Sequence, residues 1–266
     1  MAPQSSWFLI IQEEPLSPFV NMATDEYLMG RAEREDNITF LRFYDWKPPA
    51  ISIGRSQKAD KAANHKLLKE KGISFVRRPT GGKAVLHYEE LTYSIASSDE
   101  RFLSSSSVRA VYNQLAKALL KGLLYLGVKA EIVSKDPKGL VRTNLPCFSY
   151  PTRDEIEVKG KKIIGSAQKR SKDAILQHGS IPIKDHRELY AELTFVDKEL
   201  LLSSMTTIEV ETGKSNWIEI AQAFRKGFER EFNVNFEKYK LNEKDKKEIN
   251  NLVKNKYSTD KWNFEL

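Results

Sequence analysis

Residues 73–97 carry three strand-like runs, ISFVRR, KAVLH and LTYSIAS, and only Pro-Thr-Gly-Gly separates the first from the second. Gly81 and Gly82 reach backbone conformations that other residues avoid. The chain therefore reverses tightly there, and a bound group is able to approach the main chain closely. Arg77, Arg78 and Lys83 flank the pair, so a group drawn to that turn is polar or anionic. Taken alone, these residues describe a plain basic hairpin equally well, and the rest of the chain has to separate the two readings.

Strands and helices alternate around this turn. SSWFLII, ITFLRFYDW, AISIG and ILQHGSIPI read as strands, and EIEVKGKKIIGSA as a hairpin turning at Gly160. MATDEYLMGRAERE reads as a helix with early acids and late basics. KADKAANHKLLKEKG predicts one helix closed by Gly72. SSVRAVYNQLAKALLKGLLYLG is the longest helical stretch, with Val108, Val111, Leu115 and Leu119 on one stripe. Asn216 and Glu219 open another helix, with Ala221, Phe224, Phe228 and Phe232 spaced for burial. EKDKKEINNLVKNKY predicts a charged surface helix. The mixture predicts an α+β fold, with mixed and antiparallel sheets and flanking helices. It is read as a single domain over 1–266 with a small helical C-terminal section from about 240 to 266.

Composition narrows the function classes. Of 266 residues, 40% are hydrophobic, enough for a substantial core. No apolar run approaches about 18 residues, so no membrane association through a spanning helix is expected. The opening MAPQSSWFLIIQEEP lacks a basic n-region and reads as a first strand rather than a signal peptide. One cysteine, Cys147, excludes an internal disulfide and fits a reducing cytoplasm. A net charge of +7 and a pI near 9.2 point to an anionic partner. No zinc-finger spacing, RNP-type aromatic motif or long basic run is present, so nucleic acid is not the expected partner.

Few residues carry chemistry by type alone. TGKS at 212–215 resembles the end of a phosphate-binding loop, but Ile208 stands where that motif needs glycine. His65, His87, His178 and His186 show no metal-ligand spacing, so no metal is expected and structural hydrogen bonding is the default for His87 and His178. Cys147, in NLPCFSYP, is read either as a small buried hydrophobe or as a nucleophile favoured by the basic groups of KGKKIIGSAQKR. Lys161 and Lys162 point to opposite faces of their strand, so one of them at most enters a site.

Six segments in order, NMATDEYL, LRFYDWKPPAISIGRSQ, RRPTGGKAVLHYEELTYS, GKKIIGSAQKR, ILQHGSIPI and the terminal DKW, run across nearly the whole chain. Together they resemble the lipoate/octanoate transferase and ligase family, whose catalytic domain is similar to that of biotin protein ligases. The PCF segment ahead of GKKIIGSAQ looks most like the cysteine-dependent octanoyltransferases that act on the glycine cleavage H protein. Lys83 stands where ligases of the family commonly have a third glycine, and the chain stops soon after Trp262, where many ligases add an accessory domain.

The resemblance implies an acyltransferase. Octanoyl would pass from acyl carrier protein to Cys147, and from there to a lysine of the H protein or another lipoyl domain. No cofactor is then needed. ATP and magnesium belong to the alternative of an ATP-dependent lipoate ligase, with Asp154 and Lys162 near the nucleotide and Cys147 incidental. A lipoyl-domain amidotransferase is the other alternative. The resemblance also makes Lys162 the lysine facing the acyl carbonyl. As a site lysine it would add little to folding, so its removal is expected to cost rate rather than stability. Gly81 and Gly82 would admit the acyl group. Arg78 would brace that loop or meet a pantetheine phosphate, Val85 and His87 would border the tunnel, and Gly165, Ser166 and Ala167 would leave room for the chain. Acyl carrier proteins and lipoyl domains are typically acidic, which suits the positive balance; a monomer is expected.

Overall fold

A computed structural model describes residues 5–105, 107–133, 148 and 154–265. In chain order the first elements are β1 (Ser6–Ile11), α1 (Pro18–Ala32), β2 (Ile38–Tyr44), β3 (Ala50–Ile53), α2 (Ala59–Ala62) and α3 (His65–Glu70). Then come β4 (Ser74–Arg77), β5 (Val85–His87), β6 (Glu90–Ser97), α4 (Glu100–Leu103), α5 (Val108–Tyr125) and β7 (Glu131–Ile132). The hairpin β8 (Ile156–Val158) and β9 (Lys161–Arg170) leads to β10 (Ile175–Pro182). The chain closes through α6 (Arg187–Thr194), α7 (Lys198–Ser204), α8 (Ile208–Thr212), α9 (Trp217–Phe232), β11 (Glu237–Lys238), α10 (Glu243–Leu252), a π-helical turn over Val253–Tyr257 and α11 (Asp260–Phe264).

Among the described residues the strands form two sheets. The larger runs β11-β1-β2-β6-β10-β9-β8-β7, and the smaller β4-β3-β5. β1 is parallel to β2 and β11, whereas β2, β6, β10, β9 and β8 pair antiparallel in turn. This is the mixed α+β architecture that the sequence predicts. Alternation divides the large sheet between two cores. Trp7, Leu9, Leu41 and Phe43 face α5 and α9. Ile10, Phe40 and Tyr44 face α1 and the C-terminal helices. Helices α5 and α9 approach closely because glycines stand at their crossing: a Cβ on Gly122 would lie 2.4 Å from the Phe224 ring, and one on Gly227 2.4 Å from the Ala118 carbonyl. A third core packs the small sheet against α2, α3, α6 and α7.

Several sequence expectations are corrected here. Helix α1 begins at Pro18 behind an Ser17 cap, so Asp25 lies mid-helix and fully buried instead of in the first turn. KADKAANHKLLKEKG is two helices, because Ala63 is extended and Asn64 caps the second through Leu67 N at 3.1 Å. Val108 is half exposed, whereas Val111, Leu115 and Leu119 are buried. The C-terminal segment is more than a surface helix, since Ile249 and Tyr257 are buried against α1. The DKW segment is an anchor: Trp262 Nε1 donates to the Arg77 carbonyl at 2.8 Å, and the Arg77 guanidinium donates to the carbonyls of Trp262 and Asn263. Gly160 turns the β8–β9 hairpin with φ +78, following Lys159 at φ +50. Among the described residues no helix is long and apolar enough to cross a membrane.

Candidate active site

A cavity of about 340 Å³ opens between the two sheets. Even-numbered residues of β6 and β10 that point away from the α5/α9 core supply one wall, among them Thr92, His178 and Ser180. Gly165, Ser166 and Ala167 of β9 extend it. Ser52, Val85 and His87 of the small sheet face them, with Arg78 beside, and Met22, Tyr44 and Trp46 close the remaining side. Six residues that the sequence singles out, Arg78, Val85, His87, Gly165, Ser166 and Ala167, therefore share one cavity.

Its polar atoms are turned mostly to one another, which leaves the exposed surface largely apolar. His87 is held by Ser52 Oγ at Nε2 and by Glu90 Oε1 at Nδ1, both at 2.7 Å, and its ring stacks on Trp46 with centroids 4.0 Å apart. The Glu90 carboxylate also accepts from Thr92 and Ser180. His178 contacts Thr80 Oγ1 at 2.7 Å through Nε2 and Asp25 Oδ2 at 2.8 Å through Nδ1. Burial opposes charge on Asp25, but His178, Arg42 and Tyr44 outweigh it and hold its carboxyl below the usual range. Burial also lowers the His178 pKa against the pull of Asp25. A neutral His178 that donates from Nδ1 to Asp25 and accepts the Thr80 hydroxyl at Nε2 satisfies both partners. This relay fixes Thr80, and with it the glycine turn, to β10 and α1. Both ring nitrogens of each histidine are thus hydrogen-bonded within the protein, while both rings also line the cavity.

The turn itself is tightly held. Arg78 is 4% exposed. Its guanidinium donates to the carbonyls of Gly81, Lys83 and Ser52 at 2.7, 2.8 and 3.1 Å. Of its two expected roles, loop bracing is the one its geometry displays. Gly81 and Gly82 are exposed at the cavity rim rather than in its lining. Gly82 has φ +94, and a Cβ there would meet Arg78 Nη2 at 2.6 Å and Ala167 Cβ at 3.9 Å. Gly54, which sequence reading missed, lies against the turn: a Cβ on it would fall 2.1 Å from the Gly82 carbonyl oxygen.

Lys162 sits behind Gly165, fully buried, with Nζ 2.5 Å from Glu155 Oε1 and 5.0 Å from the Phe148 ring centroid. Lys161 is half-buried and donates to the Leu202 carbonyl instead, so of the two lysines Lys162 is the one packed beside Gly165, a cavity-lining residue, although Lys162 itself is not in the lining. The missing Gly165 side chain is occupied by aromatic carbon, because a Cβ would come within 2.8 Å of Phe148. Phe148 is 1% exposed, and its carbonyl accepts from Ser204 Oγ at 2.9 Å. Cys147, which precedes it in sequence, lies outside the described residues. Asp154 pairs with Arg109 at 2.7 Å, and it is Glu155 that meets Lys162.

The family model described as the lipoyl protein ligase A/B catalytic domain matches residues 17–229. The chain belongs to this family. Within the lipoyl protein ligase family, its similarity extends to proteins named octanoyltransferase LipM. The one from Anoxybacillus flavithermus is 35% identical over 93% of this chain and 94% of its own length. That from Carboxydothermus hydrogenoformans is 38% identical over 92% and 93%. A putative lipoate protein ligase from T. acidophilum with bound lipoic acid superposes with a TM-score of 0.81 at 23% identity, covering 99% of both chains, and so shares the fold. The lining residues not expected there from the sequence, Met22, Tyr44, Trp46, Ser52, Thr92, Gly179 and Ser180, together with His178, expected to be structural, lie in or beside the same family segments.

Proposed function

We propose that this chain transfers octanoyl from octanoyl-acyl carrier protein, through a thioester on Cys147, to a lysine of a lipoyl-bearing protein, with the glycine cleavage H protein as expected acceptor. The observation that carries this reading is the cavity: an apolar slot between the sheets, with a glycine turn at its rim and the Lys162 ammonium behind Gly165. Relatives named octanoyltransferases over nearly the full chain support the same chemistry. An octanoyl chain gains about 0.8 kcal/mol per methylene buried in such a slot.

In the first step the Cys147 thiolate attacks the carrier thioester carbonyl, and the carrier thiolate leaves. In the second a neutral lysine amine attacks the new thioester, Cys147 leaves as thiolate, and the amine proton goes to solvent or a base. Thioester exchange is near neutral in energy and amide formation is downhill, so neither step calls for ATP. The Lys162 ammonium would favour the thiolate and stabilise charge on the carbonyl oxygen.

Intact-mass analysis after mixing the protein with octanoyl carrier protein, without ATP, tests this. One added octanoyl group is expected, and it should be discharged by H protein. An adduct or transfer that appears only with ATP would make the chain a ligase. Efficient use of octanoylated H protein as donor would make it an amidotransferase.

The glycine turn gives a second expectation. An alanine at Gly82 takes on a φ of +94 and crowds Arg78 at 2.6 Å. Gly82→Ala should cost about 1–2 kcal/mol of stability. It should also lower kcat/KM for an octanoyl donor about tenfold, with a smaller loss for butanoyl, which reaches less far past the rim. Equal losses on both donors would reduce the turn to a backbone requirement.

A further inference from the structure

On the outer side of the glycine turn lies a second recess, of about 620 Å³, lined by Ser56, Gln57, Lys58, Lys61 and Lys83. Among the described residues no acidic side chain lines it, and Asp60, between Lys58 and Lys61 in sequence, is exposed and not part of the lining. Lys58 and Lys61 are exposed and Lys83 is half-buried. The floor is rigid. The buried Arg77 guanidinium holds the carbonyls of Gly54, Arg55 and Gln57 at 3.1, 2.9 and 2.6 Å, and Arg55 N donates to the Thr80 carbonyl at 2.8 Å. The two loops that carry the lysines are thereby clipped together.

We infer that this recess binds the phosphate of the donor's phosphopantetheine arm; the inference rests on the octanoyl-carrier reading above. The turn separates recess from cavity by little more than its own backbone: Lys83 lines the recess, and a Cβ on the adjoining Gly82 would lie 3.9 Å from Ala167 Cβ, which lines the cavity. An added Cβ on Gly81 meets nothing within 4 Å, so bare main chain faces outward there. A pantetheine arm laid across the glycines reaches the cavity with its thioester while its phosphate meets the lysines. Arg78, the other candidate for that phosphate, is 4% exposed and turned into the loop. Lysines suit the task because ammonium groups on flexible stems converge on a phosphate as point charges.

Octanoyl-phosphopantetheine and octanoyl-pantetheine differ only in that phosphate, and thiol release reports acylation by each. At low ionic strength the wild-type protein should use the phosphorylated donor with a kcat/KM about five- to tenfold higher, the gap closing as salt is raised. Lys58→Gln, Lys61→Gln and Lys83→Gln combined should bring the ratio close to one. A wild-type ratio near one overturns the subsite, and so does a ratio that survives the triple substitution. An effect of the triple variant confined to carrier-bound donor assigns the lysines to the acidic carrier surface and also overturns it. Should octanoyl carrier protein and both small donors fail to acylate the wild-type protein, the transfer reading falls, and the subsite with it.

Discussion

Lys162→Met is expected to lower kcat about 100- to 1000-fold and stability by about 3–5 kcal/mol, while adding Glu155→Gln restores much of the stability and none of the rate. The two losses have separate causes. Lys162 is fully buried and its ammonium lies 2.5 Å from Glu155, itself 8% exposed, so removing it takes a cation away from a buried carboxylate. The sequence reading expects little effect on stability, because a site lysine adds little to folding; full burial against Glu155 points to a larger one. Methionine keeps the length of the stem against Phe148, which limits the change to charge and hydrogen bonding. Glutamine at 155 then removes that buried charge as well. If the ammonium is needed for the thiolate and the carbonyl oxygen, neutralising its partner cannot bring the rate back. Thermal melts and single-turnover acylation on the single and double variants separate the effects. Recovery of rate in the double variant would make Lys162 a folding residue only. Damage from Lys161→Ala with Lys162→Met benign would reverse the assignment of faces.

Local signals carried much of the fold. Gly160 and the alternating residues around it specify a two-residue hairpin by φ alone, and Asn216 with Glu219 marks a helix start that α9 follows. The cavity lining was legible where a motif put small or strand residues at one place, as at Gly165, Ser166, Ala167 and Val85. What stayed hidden depends on partners far away in sequence. Asp25 looks like an acid near a helix start. Its environment is set by Arg42, Tyr44 and His178, three residues on two strands of the large sheet. Gly54 looks like a strand end, and only the approach of the Gly82 carbonyl shows why it lacks a side chain. The break at Asn64 is hidden because helix propensity runs straight through KADKAANHKLLKEKG, while the side-chain cap that restarts the helix competes with it locally. The tail was read as surface because its charges outnumber its apolar residues; burial of Ile249 and Tyr257 needs only one narrow stripe.

Cys147→Ala is expected to form no octanoyl adduct and to lower transfer by about 1000-fold or more. On the proposed mechanism a thiolate would divide the reaction into two encounters, so that carrier and acceptor would occupy the mouth of one cavity in turn. Without it the acceptor lysine would have to attack the carrier thioester directly, with two folded proteins converging on the same opening. Serine is the sharper probe. It keeps the volume of cysteine to within one atom's size, but its hydroxyl ionises far less readily than a thiol. Cys147→Ser should therefore acylate slowly if at all, and an oxyester, once formed, should pass its octanoyl group to the lysine amine more slowly than the thioester does. Following intact mass over time resolves the three proteins: rapid gain and loss of octanoyl in the wild type, no gain in the alanine variant, and slow gain with slow loss in the serine variant. Transfer at the wild-type rate by Cys147→Ala would mean that octanoyl passes directly between carrier and acceptor, and that the buried ammonium of Lys162 serves that single step instead.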